Sequence, residues 1–169
     1  MTIAELLADS FGRIRELVHE TVDSAPASEL AWRPDNAANS IAWLIWHLTR
    51  IQDDHIADAA KIGQVWMAGG WAERFGLPFD EADTGYGHGA VEVAALQVDS
   101  GELLTSYHDA VYQQTLDYIG GLTDADLDRV VDERWDPPVT LGVRLVSVIS
   151  DDLQHVGQAA YLRGLADRR

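Results

Sequence analysis

The sequence contains no cysteine, which excludes disulfides, thiolate metal ligands and a protein thiol nucleophile. Any thiol chemistry would need a thiol brought from outside. Positive charge is also scarce: 12 Lys and Arg stand against 28 Asp and Glu, for a formal charge of -16 and a pI near 4.4. A surface of that sign repels the phosphate backbone of nucleic acid and the anionic face of a membrane, so neither is an expected partner. The acidity names no substrate, because charged outer helix faces also serve solubility. Long apolar runs are missing, with no stretch near the roughly 18 residues of a membrane-spanning helix. The first residues, MTIAELLADSFGRIRELVHE, carry charges where a signal peptide needs an apolar run. The expectation is a cytoplasmic protein. Sustained β-alternation is absent too, which leaves an all-α fold.

What is present suffices for one buried core. The 169 residues are 47% hydrophobic with six Trp, and one domain over 1–169 is expected. From Ile3 to about Val22, Leu6, Leu7, Phe11, Ile14, Leu17 and Val18 recur at helical spacing, ended before Pro26. A second helix is predicted from Ser40, capped by the Asn39-Ser40 pair, to about Ile62, with Ile41, Leu44, Ile45, Leu48, Ile51 and Ile56 as its stripe. A third starts near Ser100 and stops at Gly120-Gly121. A short helical turn over 124–131 follows, and after Pro137-Pro138 a final helix runs to about Leu165. Residues 63–98 hold seven of the 14 Gly with Trp66, Trp71, Phe75 and Phe79. A connection of that length lets the second and third helices run parallel, and its aromatic surface predicts an ordered lid packed on the bundle.

Six His occur, at 19, 47, 55, 88, 108 and 155. Most histidines in a helical protein are structural or exposed. Context sets two of them apart. In the last helix Asp151 and His155 stand at i and i+4, on one face, where a carboxylate and an imidazole can close on one cation. An imidazole from a facing helix, such as His47 in Trp46-His47-Leu48, would complete a three-ligand site with open positions. Periodicity gives a competing reading. A helical wheel centres His55 rather than His47 in the second helix, and Asp152 rather than Asp151 in the last. His55 lies roughly 12 Å of rise beyond His47 and cannot easily share its ion, so a structural role beside a neighbouring carboxylate is expected. His88, in the Gly-rich loop, is the candidate acid, base or substrate contact over the open face. Trp43 is expected to fill the core.

These segments resemble the DinB/YfiT-like superfamily, which includes the mycothiol-dependent maleylpyruvate isomerase type. In that superfamily a His early in the second helix, in a segment like His47-Leu48-Thr49-Arg50, joins two ligands at i and i+4 in the fourth, before a Gly-Gln pair. His155-Val156-Gly157-Gln158 matches that ending. Many members have His where this chain has Asp151, whereas the isomerase type has Glu. The segments Arg33-Pro34, Asn39 to Leu44, Gly69-Gly70-Trp71 and Gly85-Tyr86-Gly87-His88 are similar to an actinobacterial branch that implies no reaction.

The resemblance implies a four-helix bundle with a long connection between its second and third helices, and a divalent metal held by His47, Asp151 and His155. Two imidazoles and one carboxylate suit zinc first, with nickel, iron or manganese accepted according to supply. It implies a metal-dependent enzyme acting on a small molecule, as a thiol-dependent transferase or isomerase using a low-molecular-weight thiol, or as a hydrolase. A non-catalytic metal- or ligand-binding stress-response protein is the alternative. Superfamily members are often homodimers, and the same is expected here.

Overall fold

The computed structural model describes residues 1–169. The first helix, α1 (Ile3–Val22), starts where a capping box closes: the Thr2 hydroxyl accepts the Glu5 N–H at 3.2 Å, and the Glu5 carboxylate accepts the Thr2 N–H at 2.8 Å. After the short α2 (Ala27–Leu30), α3 (Ile41–Ala60) is capped by Ser40, whose hydroxyl accepts the Trp43 N–H at 3.1 Å. It ends at Lys61 in the left-handed conformation, φ 57°. Three short helices fill the connection, α4 (Val65–Ala68), α5 (Trp71–Phe75) and α6 (Ala90–Ala95). Then come α7 (Gly101–Ile119), a 3-10 turn (Asp124–Asp128) and α8 (Leu141–Ala166). The helical turn predicted over 124–131 is thus a 3-10 turn only as far as Asp128. Strand β1 (Val130–Asp132) follows, paired antiparallel with β2 (Val139–Thr140). No helix is long and apolar enough to cross a membrane.

The long helices α1, α7, α3 and α8 form a square in which each packs on the next and α8 closes back on α1. Side-chain pairs set the directions. Along α3 from Asp53 to Ala59, partners on α7 rise from Tyr107 to Tyr118, so these helices run parallel. From His47 to His55, partners on α8 fall from His155 to Arg144, so α3 and α8 are antiparallel. The expected parallel pair therefore forms, bridged by the connection. One cluster of 32 buried apolar residues fills the square and extends under the connection through Trp66, Trp71 and Phe75. Each large apolar side chain so buried contributes roughly 1.5–3 kcal/mol.

The connection is also tied down by charge. Asp53 is fully buried in α3, and its carboxylate accepts the backbone N–H of Val65 and of Trp66 and the Tyr107 hydroxyl, all at 2.8 Å. Arg50, one turn earlier and equally buried, donates to Gln64 Oε1 at 2.9 Å and to the Asp83 carbonyl at 3.1 Å. Two polar residues inside an apolar helix stripe thus hold the start of the connection, at Gln64–Trp66, and its middle, at Asp83 beside His47.

Candidate metal centre

His47 projects from α3 toward α8, where Asp151 and His155 share one face. One ligand atom from each of the three lies within 4.8 Å of the others. Ligands about 2.1 Å from a common ion stand at most about 4.2 Å apart, so the widest pair needs only a small side-chain rotation to close. His155 Nε2 lies 3.6 Å from Asp151 Oδ1.

The hydrogen bonds behind the imidazoles decide which atoms face inward. His47 Nδ1 lies 2.5 Å from the Thr84 carbonyl, an acceptor only, so Nδ1 carries the proton and Nε2 is left with its lone pair. His155 Nδ1 is 3.3 Å from Gln158 Oε1 and donates to it in the same way. Such outer partners fix tautomer and ring orientation at metal-bound histidines. Trp43, one turn before His47, stacks on the His47 ring at 4.6 Å and 14° and meets His155 edge-on at 6.4 Å. Burial pushes the His47 imidazolium below its ordinary pKa, against the raising effect of the Thr84 carbonyl. The neutral ring that results is the ligating form.

The carboxylate supplies the strongest sign of a missing partner. Asp151 Oδ2 is buried with no hydrogen-bond donor, and the basic group nearest the carboxylate is the His155 imidazole, 3.6 Å away, with no Arg or Lys paired to it. A carboxylate oxygen kept from water without a donor is costly, and a cation between Asp151 and the two Nε2 atoms removes that cost. The donor set of two neutral imidazole nitrogens and one carboxylate oxygen fits a divalent ion.

The remaining sequence candidates lie elsewhere. Asp152, centred by the helical wheel, is fully buried with both oxygens unpaired and is not among the converging ligands. Burial, with Asp151 beside it, raises its carboxyl well above the usual range. His55 contacts Arg144 at 3.2 Å and Asp54 at 3.6 Å, away from the three ligands. His88 has both ring nitrogens engaged: Nδ1 accepts the Trp43 indole N–H at 3.1 Å and Nε2 donates to Asp83 Oδ2 at 2.9 Å. Its ring packs against Trp46 and Phe79, which also touch each other. Sequence reasoning missed Thr84 outright, since a backbone carbonyl leaves no residue signature. Gln158 stood in the quoted ending as a motif letter, without its role as the His155 acceptor.

No curated protein matches the sequence. A conserved protein of Enterococcus faecalis, known from its crystal structure, is 32% identical over 100% of this chain and 99% of its own, with a TM-score of 0.92. The family model described as DinB superfamily matches residues 10–159, and the chain belongs to that superfamily.

Proposed function

We propose that this protein is a metal-dependent enzyme acting on a small molecule, with His47, Asp151 and His155 as the ligands of a divalent cation, zinc first. The observation that carries the reading is the convergence of His47 and His155, each with its Nδ1 already committed, on a carboxylate whose Oδ2 is buried and unpaired. A bound cation would supply Lewis-acid polarisation of a substrate oxygen and would lower the pKa of a thiol or water beside it. The chain's own part is to hold the ligands in the correct tautomer and, through the Trp43 ring, to keep water from one side of the site. A protein without cysteine that works on thiols must take the thiol from outside, so thiol-dependent transfer or isomerisation stands beside hydrolysis by a water next to the cation, and the reaction itself separates the two. The test is incubation of the zinc-loaded protein with a low-molecular-weight thiol and an electrophile such as an α,β-unsaturated acid. Consumption of thiol or isomerisation of the acid, lost in His155→Ala, supports the reading; hydrolysis of esters or amides with no thiol dependence replaces it with the hydrolase.

We also propose a homodimer. From Val143 to Tyr161 every exposed residue of α8 is uncharged, Val143, Val146, Leu153 and Tyr161 among them, in a chain that is 24% charged. Two copies that each carry -16 meet with least repulsion on such a face. Light scattering across micromolar concentrations should give twice the chain mass, and Leu153→Asp should return it to the monomer.

A further inference from the structure

Gly85 and His88 do not join the ligand group, yet the loop they belong to is built against it. Gly85 has φ +88°, and a Cβ there would lie 2.9 Å from His47 Nδ1 and 2.9 Å from the Trp46 ring. Only glycine lets the backbone come this close at that φ. The Gly85 N–H donates to Asp83 Oδ1 at 2.7 Å, and Asp83 Oδ2 accepts the His88 Nε2–H at 2.9 Å. His88 Nδ1 in turn accepts the Trp43 indole N–H at 3.1 Å. Trp43 and His47 are one turn apart on α3 with rings stacked, and His47 closes the circuit by donating to Thr84, the residue after Asp83.

We infer that His88 is a positioning residue: the closed ring Trp43–His88–Asp83–Thr84–His47 fixes His47 in the Nδ1–H tautomer with Nε2 aimed at Asp151 and His155. The physical logic is that His88 can satisfy both neighbours in one way only. A donor from Trp43 and an acceptor from Asp83 demand Nδ1 as acceptor and Nε2 as donor. With that bridge in place Asp83 is held on two sides, its main chain also held by Arg50. The Thr84 carbonyl is then presented to His47 at a fixed angle. His88 is itself too closed for proton transfer to a ligand on the metal face, with its side chain 7% exposed. The metal part of this inference rests on the ligand reading above; the tautomer part does not.

The experiment has two readouts on wild type, His88→Ala, Trp43→Phe and, as a control in the same loop, Tyr86→Ala, whose side chain is 91% exposed. The imidazole tautomer of His47 is read in the metal-free protein by long-range proton–nitrogen correlation, and zinc affinity is read by competition with a chromophoric chelator. Wild type and Tyr86→Ala should show a single Nδ1–H tautomer. His88→Ala and Trp43→Phe should show a tautomer mixture and bind zinc roughly 10- to 100-fold more weakly, the usual cost of losing an outer-shell partner. Trp43→Phe keeps an aromatic ring on His47 and serves if His88→Ala does not fold. An unchanged tautomer in the folded variants overturns the inference, with or without a fall in affinity, because weaker binding alone would mark general loosening. A wild type that binds no zinc but shows the tautomer shift refutes the metal reading and leaves the ring standing.

Discussion

Two seams of the bundle carry the same residue types and reach opposite outcomes. On the α1–α7 seam, Asp109 accepts from Arg15 at 2.7 and 3.2 Å and pairs with His19 Nε2 at 2.9 Å. Burial alone would raise the Asp109 carboxyl, but the hydrogen bonds from Arg15 and His19 outweigh it and hold it below the usual range. On the α3–α8 seam, Asp151 and His155 have the same pairing of carboxylate and imidazole, but no guanidinium arrives and one oxygen stays unpaired. The difference teaches that a carboxylate beside an imidazole leaves room for an outside cation only where the protein brings no guanidinium of its own. Asp53 stands between the two, deeper than either and closed by neutral donors as well as Arg50, 3.6 Å away.

Metal content should separate the seams most. Wild-type protein dialysed after zinc loading is expected to hold one equivalent by elemental mass spectrometry. His155→Ala and Asp151→Ala should be nearly empty, while His19→Ala should stay full. Asp152→Ala should also stay full; loss there and not in Asp151→Ala would move the carboxylate ligand by one residue.

Stability should order the carboxylates differently. Removing a partner from a buried charged network costs about 3–5 kcal/mol, so Asp53→Ala should lower the urea midpoint severely. Asp151→Ala in metal-free protein should leave the midpoint unchanged or raise it, because the lost carboxylate has no donor to leave behind. A loss of similar size in both variants would abolish the contrast between a closed and an open acid.

His108, on α7, is buried with neither ring nitrogen bonded. Burial lowers its pKa from 6.5 to about 4. The unfolded chain binds this proton first, so stability is intact above the unfolded value and falls as pH drops from 6.5 toward 4. At roughly 1.4 kcal/mol per unit the full loss is about 3 kcal/mol. Urea unfolding of wild type and His108→Leu across that window should show the steeper decline in wild type; parallel curves would place a polar partner or water on the ring.

The smallest effect belongs to the surface pair of the closed seam. Arg15 and Asp109 are more than a third exposed, and such pairs contribute under about 1 kcal/mol. Arg15→Ala should shift the urea midpoint slightly, and added salt should erase the shift.

The four long helices were legible because each carries its own stripe: the predicted 3–22 and 100–119 agree with α1 and α7 to within a residue. The anchors of the connection were not legible. Asp53 and Arg50 sit among apolar neighbours in α3, and their partners lie between Gln64 and Tyr107, beyond the reach of any local pattern. The β1–β2 ribbon was missed because strands of three and two residues show no alternation. At the metal centre, periodicity and i, i+4 spacing pointed to different residues. The wheel was right that Asp152 is the buried member of its pair and wrong in α3, where His47 is buried and His55 is only partly so. What brings the three residues together is the facing of α3 and α8 across their seam, which no single-helix wheel encodes.

Diffraction from zinc-soaked crystals at the zinc absorption edge tests the central claim most directly. The account requires one anomalous peak between α3 and α8, about 2.1 Å from His47 Nε2 and His155 Nε2 and about 2.0–2.2 Å from an Asp151 oxygen. His47 Nδ1 should still be bonded to Thr84. An empty seam, or zinc bound at the acidic surface with Asp151 Oδ2 still unpaired, would contradict it.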